Sequence, residues 1–578
     1  MQLIRMAQMI EVTTMPETHP KKVLEVRDLS IGFSMQDRVV EVVKKISFDV
    51  NQGEILCVVG ESGSGKSVTA RALMRIARPG KILNGSIRLY DDAGRCVDIT
   101  ELDEQSEDMR AVRGDRIGMV FQEPMSSLSP VHTIGEQIIE TILLHRNMTA
   151  GKARQEAIEA LRRVQIPDPE TAIDKYSFEL SGGMRQRAMI AMALSCEPEI
   201  LIADEPTTAL DVTTQAEILR LIKRLQSELG MSVIFITHDM GVVAEVADRV
   251  AVMYHGEITE IGTVEQIFHK PAAKYTRHLI GASSRFTITG DQDRGGTLPR
   301  DGAKKMLEVR NLNLTFRKST GILFRKVTEF NALKDVSFSL AEGENLGIVG
   351  ESGSGKTTLV RALVGLLKTD SGTAMYQSDD GREFDLLQPN ALRNAGLNRE
   401  IRMVFQDPFS SLNPRMTVEQ VIAEPLVMER KHSRSDIRKR VANLLDRVGL
   451  PSNVLSRYPH AFSGGQRQRI SIARALAVNP RMIIADEATS ALDGSIRSQI
   501  LDLLFDLQSE LGLSYMFVGH DLGVVRYFCD RIAVMHNGSL VEIGDAASVC
   551  QRPERDYTKQ LIGAVPGTDP SNRRLILT

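Results

Sequence analysis

The sequence predicts an α/β protein in which one domain occurs twice, and three observations predict it. Short apolar runs of strand type, such as EILCVVG and EILIADE, alternate with amphipathic stretches of helical period. A glycine-rich loop, GESGSGKS, stands between one such run and a helix-forming stretch. VVGESGSGKS at 58–67 then returns as IVGESGSGKT at 348–357, and the rest of the chain follows in the same order.

Each half opens on apolar alternation, VLEVRDLSIGF at 23–33 and MLEVRNLNLTF at 306–316, which reads as a strand. The glycine-rich loop follows, and then a long amphipathic region, exemplified by IRKRVANLLDRVGL, reads as helices. LSGGMRQR at 180–187 and FSGGQRQR at 462–469 close that region, each with a serine placed as an N-cap and two glycines in the first helical turn. Strands and helices then alternate through EILIADE and SVIFIT, or RMIIADE and SYMFVG. The copies are offset by 290 at Lys66 and Lys356, by 284 at Gln122 and Gln406, and by 282 at Ser181 and Ser463, Asp204 and Asp486, and His238 and His520. So long a period means domain duplication rather than a solenoid. Residues 283–305, polar and rich in Gly, Asp and Arg, read as a linker between domains at 23–282 and 306–566, with C-terminal extensions beginning near 262 and 544.

Composition narrows the class. Of the 578 residues, 42% are hydrophobic and 25% charged, as in ordinary globular proteins. The net charge of −3 argues against a generally basic nucleic-acid surface. No stretch approaches the roughly 18 uninterrupted apolar residues that span a bilayer, and MQLIRMAQMIEV at the N-terminus is too short and too soon charged for a signal peptide. Five cysteines, Cys57, Cys96, Cys196, Cys529 and Cys550, show no CxxC pair and suit a reducing compartment.

The chemistry sits in five motifs per half. GxxxxGK[ST] is met at Gly60, Glu61, Ser62, Gly63, Ser64, Gly65, Lys66 and Ser67, and at Gly350, Glu351, Ser352, Gly353, Ser354, Gly355, Lys356 and Thr357. Glycines free the backbone to cradle phosphates, the lysines reach the terminal ones, and Ser67 and Thr357 can ligate Mg2+. Asp204 and Asp486, each ending an apolar strand, would hold the same ion, and the adjacent Glu205 and Glu487 are candidate bases or orienters of an attacking water. Gln122 and Gln406 offer an amide that can touch both a hydrated metal and water; His238 and His520 could donate to a γ-phosphate. Ser181, Gly182, Gly183 and Ser463, Gly464, Gly465 form bare helix starts suited to an anion.

In this order and in duplicate, the motifs resemble the ATP-binding cassette ATPases across nearly the whole chain. The resemblance implies two P-loop NTPase domains, each with a RecA-like core, an antiparallel β subdomain and a helical subdomain. It also implies adenine stacking on Phe33 and Phe316 and a head-to-tail internal pseudo-dimer in which each SGG signature covers the ATP held by the other half. The absence of spans in cis, of zinc-binding cysteine pairs and of a long helical linker favours a binding-protein-dependent importer over an exporter, a DNA-repair member, or a soluble clamp acting on nucleic acid or ribosomes.

GTVEQIFHKPAAKYTRHLIGA and GDAASVCQRPERDYTKQLIGAVP keep the 282 offset and resemble the C-terminal extension of oligopeptide, dipeptide and nickel importer ATPases, although Ala273-Lys274 and Arg555-Asp556 stand where that family has His-Pro. The fused arrangement, with STGILFRKVTEFNAL added in the second half, is similar to the double-cassette subunits of the peptide/nickel importer family, including those of bacterial glutathione importers. Such a subunit uses ATP and Mg2+, binds no nucleic acid, lies on the cytoplasmic face of the bacterial inner membrane, and works with two integral membrane permeases and a periplasmic solute-binding protein. Small peptides or glutathione-like solutes are the implied cargo, with nickel or opine-like solutes as alternatives. Coupling to the permeases is expected through the helical insertions, about 123–180 and 407–462, near Met125 and Phe409. Both sites are expected to hydrolyse ATP, although Ala488 for Pro206, Gly494 for Val212 and Gly519 for Thr237 could make them unequal.

Overall fold

The computed structural model describes residues 21–575 except 36–37, 92, 209, 287, 289–303, 321–325, 395 and 491. The N-terminal MQLIRMAQMIEV, most of the expected 283–305 linker, part of the added STGILFRKVTEFNAL segment, and the side chains of Met125 and Phe409 lie outside the described residues.

The six-stranded sheet of the first half runs, from edge to edge, Glu257–Thr263, Arg249–Tyr254, Ile55–Val59, Ser232–Thr237, Ile200–Asp204, Ile117–Val120. All neighbours are parallel except the first pair. Its central strands are buried at every position, which is why they read as unbroken apolar runs. Successive side chains still serve opposite faces: Cys57 and Val59 pack with the helical layer, Leu56 and Val58 against a four-stranded antiparallel sheet. That second sheet has the order Arg38–Asn51, Lys22–Met35, Lys81–Tyr90, Cys96–Asp98.

The helical layer holds Ile134–His145, Ala150–Arg163 and Gly182–Leu194. A capping box on Thr133 and Glu136 starts the first of these, and Thr417 with Gln420 repeats it in the second half. The second half reproduces both sheets: Ile401–Val404, Met482–Asp486, Ser514–Gly519, Asn345–Val349, Arg531–His536, Ser539–Asp545, beside Lys326–Ala341, Lys305–Thr320, Ser371–Gln377, Glu383–Asp385. Among the described residues no helix is long and apolar enough to cross a membrane.

The halves exchange their ends. Phe286 and Ile288, following the first extension, join the core of the second half, where Phe286 stacks edge-on against Tyr527. Residues 567–575 return to the first half, and Leu575 is fully buried in its core. The carboxylate of Glu245, 1% exposed, accepts backbone N–H bonds from Gly567 (2.9 Å), Arg574 (3.3 Å) and Leu575 (3.1 Å). A buried carboxylate is tolerable only with such partners.

Candidate functional site

Each glycine-rich loop leaves a buried strand and enters a short helix, Lys66–Leu73 or Lys356–Leu363. Gly60, Gly63 and Gly65 have φ of 153°, 80° and 103°. A Cβ on Gly60 would lie 2.2 Å from the Met253 carbonyl oxygen, and one on Gly350 would lie 2.2 Å from that of Met535, so only glycine permits this fold-back. Lys66 Nζ, nearly buried, donates to the carbonyls of Gly60 (2.7 Å) and Glu61 (2.9 Å); Lys356 donates to Gly350 (2.6 Å) and Glu351 (2.8 Å). The loop is thus closed around its own lysine, while the buried hydroxyls of Ser64 and Ser354 have no partner.

Facing Lys66 are the ends of two parallel strands. Ser67 Oγ donates to Asp204 Oδ1 at 2.9 Å, whereas Asp204 Oδ2 is buried and unpartnered, as is Oδ1 of Asp486. Burial raises both carboxyl pKa values, and for Asp486, beside the Glu487 charge, the value is pushed up to about 6. A hydroxyl, a carboxylate with an orphaned oxygen and a nearby amide form a donor set that fits a hard divalent cation arriving with phosphate.

The next residue turns sharply. Glu205 and Glu487 have φ of 46° and 47°, a left-handed conformation that costs a non-glycine residue energy and recurs here in both halves. Backbone bonds from Glu205 to Ile236 (2.9 Å) and from Glu487 to Val518 (2.8 Å) hold it. The turn brings Glu205 to Gln122 Nε2 (3.1 Å), Thr208 Oγ1 (2.8 Å) and His238 Nδ1 (3.3 Å). Glu487 meets Gln406 Nε2 at 2.5 Å and His520 Nδ1 at 3.5 Å. Burial alone would raise the Glu205 pKa, but the hydrogen bond and charge of His238, with Thr208 and Lys66, outweigh it and hold this carboxyl well below the ordinary range.

Three differences separate the two clusters. Ser490, the counterpart of Thr208, donates to the Glu487 backbone carbonyl instead of to its carboxylate. Arg497, where the first half has Gln215, binds Asp521 at 2.7 Å and the Leu492 carbonyl at 3.1 Å. Thr237 Oγ1 accepts the N–H of Asp239, a bond that Gly519 cannot make in the second half.

Ser181 and Ser463 are the N-caps of Gly182–Leu194 and Gly464–Leu476, each accepting a backbone N–H from three residues on. Both serines are exposed. A Cβ on Gly183 would lie 2.7 Å from Thr214 Cγ2, and one on Gly465 would lie 2.5 Å from Ile496 Cγ2, so the second glycine of each pair is also a packing requirement. Phe33 lies against Gly80, while Phe316, 44% exposed, pairs across its sheet with Phe330.

The halves meet reciprocally at these sites. Burial raises the Asp211 pKa, but hydrogen bonds from Thr214, Thr213 and the Ser352 backbone N–H of the opposite loop outweigh it. Asp493 acts in turn on Lys66 and Tyr275 of the first half, and Asp211 on Lys356 and Tyr557 of the second. Between them a cavity of about 150 Å³ is lined by both His238 and His520, with Thr208, Ser490, Arg497 and Pro566.

The ABC transporter family matches residues 43–208 and 333–490, and the oligopeptide/dipeptide transporter C-terminal region matches 259–305 and 541–577. The glutathione import ATP-binding protein GsiA of Shigella flexneri is 50% identical over 96% of this chain and 91% of its own. GsiA of Escherichia coli strain K12 is 49% identical over the same shares. Among solved structures, CbiO1 of Clostridium perfringens, described as part of the ABC transporter complex CbiONQ, is 31% identical over 43% of this chain and 92% of its own, with a TM-score of 0.37. With both halves matched, and matched again in their C-terminal extensions, the chain belongs to the ABC transporter family as a double-cassette ATP-binding protein with the oligopeptide/dipeptide type of C-terminal region.

Proposed function

We propose that this chain is the ATP-hydrolysing motor of a bacterial binding-protein-dependent importer, taking up small peptides or glutathione-like solutes through two partner permeases fed by a periplasmic solute-binding protein. The observation that carries the ATPase reading is the duplicated convergence of Gln, Glu and His at one sheet edge, with His238 and His520 lining a single cavity between the halves. The relatives named for glutathione import support the cargo. The peripheral position on the cytoplasmic face of the inner membrane follows from the importer reading.

In this mechanism the loop N–H groups and Lys66 or Lys356 bind the phosphates of ATP, with Phe33 and Phe316 against adenine. Ser67, Asp204 and Gln122 in one site, and Thr357, Asp486 and Gln406 in the other, would hold Mg2+, which supplies charge neutralisation on the phosphates. Gln122 orients the attacking water and Glu205, kept anionic by its neighbours, accepts its proton; His238 donates to the γ-phosphate. Gln406, Glu487 and His520 act likewise. Ser181 with Gly182 and Gly183 covers the nucleotide on Lys356, and Ser463 with Gly464 and Gly465 covers that on Lys66, so ATP favours the closed pair and hydrolysis releases it. The short helices Pro124–Ser127 and Pro408–Ser411, which follow Gln122 and Gln406, are the contacts to the permeases.

The test is uptake by the chain reconstituted with the permeases that co-purify with it. Glutathione or a small peptide should enter with ATP and a loaded binding protein, and the Glu205→Gln, Glu487→Gln double variant should stop it. Co-purification with ribosomes or nucleic acid and no permease would contradict the proposal.

A further inference from the structure

We infer that Tyr275 and Tyr557 are positioning residues for the two ATP-binding loops, through which the C-terminal extension of each half sets the affinity of its own nucleotide site; the inference rests on the ATPase reading above. The extension is built to place this side chain. In the first half the Glu260 carboxylate accepts N–H bonds from Ala272 (2.7 Å) and Ala273 (3.0 Å), which fixes the turn entering the helix Lys274–Ser284. In the second, Glu542 accepts from Glu554 (2.9 Å) and Arg555 (3.1 Å) before Asp556–Gly563. Each tyrosine is the second residue of its helix.

Its ring is held by stacking. Tyr275 lies on Tyr254 at a centroid distance of 4.1 Å, and Tyr557 on His536 at 3.9 Å. Those partners end the strands whose preceding residues, Met253 and Met535, turn their carbonyls against Gly60 and Gly350. Ring and loop are therefore registered to the same strand end. From there the Tyr275 oxygen accepts the backbone N–H of Glu61 at 3.1 Å, and the Tyr557 oxygen that of Glu351 at 3.2 Å.

The peptide units so held are the ones that hold the lysines. The Glu61 carbonyl accepts from Lys66 Nζ at 2.9 Å, and the Glu351 carbonyl from Lys356 Nζ at 2.8 Å. Tyrosine hydroxyl, Glu residue and lysine ammonium form a continuous chain in each half, and its recurrence, at an offset of 282 for the tyrosine and 290 for the loop, makes an accidental contact a poor explanation. Burial pushes both hydroxyls up to about 12, so they stay protonated and keep one O–H free to donate while accepting the loop N–H. The opposing aspartates, Asp493 and Asp211, act on the same two rings, so the chain ends beside the half that must close over the nucleotide.

Tyr275→Phe and Tyr557→Phe delete one oxygen each and keep the stack. In the full chain, each should raise the KM for ATP about 3- to 10-fold, the effect of one hydrogen bond, with kcat within about twofold of wild type and an unchanged Tm. The double variant should show the shift at both sites, and Tyr254→Phe, which keeps its ring, should show none. A purely architectural tyrosine would lower Tm and leave KM alone. KM values within a factor of 1.5 of wild type in Tyr275→Phe, Tyr557→Phe and the double variant, with wild type hydrolysing ATP normally, would overturn the inference; a wild-type chain that binds no ATP would overturn the ATPase reading instead.

Discussion

Replacing Asp486 by Asn should stabilise the nucleotide-free protein while disabling its second site. The Asp486 carboxyl is 6% exposed, carries an oxygen without a partner and sits beside the Glu487 charge, and its pKa is raised from 3.8 to about 6. Because the folded-state value is raised, the folded protein holds more protons than the unfolded chain between these two values. The contribution of Asp486 to stability therefore falls as pH rises through that window, and the full cost is present above pH 6. A shift of about 2 units at about 1.4 kcal/mol each amounts to about 3 kcal/mol. A buried Asn N–H lacking an acceptor returns about 1 kcal/mol, leaving a net gain of about 2 kcal/mol. For a domain of this size that is about 4 to 8 °C in apparent Tm at pH 7.5. The gain should shrink as pH falls towards 5 and, below about pH 4, give way to a loss of about 1 kcal/mol, the cost of the unpaired Asn N–H. Calorimetry of wild type and Asp486→Asn without nucleotide, across pH 4 to 8, measures it, and Mg·ATP titration should find two sites in wild type and one in the variant. A variant no more stable than wild type at pH 7.5, or one that still binds two Mg·ATP, would refute the assignment of Asp486 as a strained cation ligand.

Glu205→Gln and Glu487→Gln should each depress steady-state ATP hydrolysis at least 100-fold, within the range of a lost general base, while leaving ATP binding intact; a rate near wild type in either would show that the two sites do not turn over together. Glu245→Ala strips the acceptor from three N–H groups of the returning C-terminus and should cost about 2 to 4 kcal/mol. Limited proteolysis should then cleave within 567–575 much faster than in wild type, and equal protection would show that the exchange of ends does not depend on this carboxylate.

What was legible in the sequence was local. The apolar runs EILCVVG and EILIADE are buried on both faces because parallel strands between two layers must be, and Ser181 is an N-cap because serine before Gly-Gly opens a helix. The catalytic candidates Gln122, Glu205 and His238 converge because each stands at the same edge of one sheet, which the order of strands implies. The illegible contacts join positions far apart or depend on backbone angle. Gly567 and Glu245 are 322 residues apart, and Glu61 and Tyr275 are 214 apart. The left-handed turn at Glu205 follows from what the Asp-Glu-Pro segment must reach rather than from glutamate's own preference. Thr208, in the segment EPTTALD after the strand, shows no chemical role by residue type alone, because its bond to Glu205 depends on that turn. The repeat offset was the one signal that could have flagged Tyr275 and Tyr557, since it marks both without stating what they touch.

In the proposed mechanism each nucleotide site is shared between the halves. Cysteines placed at Ser181 and Ser352, in a chain whose Glu205 and Glu487 are both replaced by Gln, test this directly by intramolecular disulfide formation. Sharing predicts a cross-link that forms rapidly with Mg·ATP and slowly with ADP or no nucleotide. Formation at the same rate in all three conditions, or only between separate molecules, would contradict it.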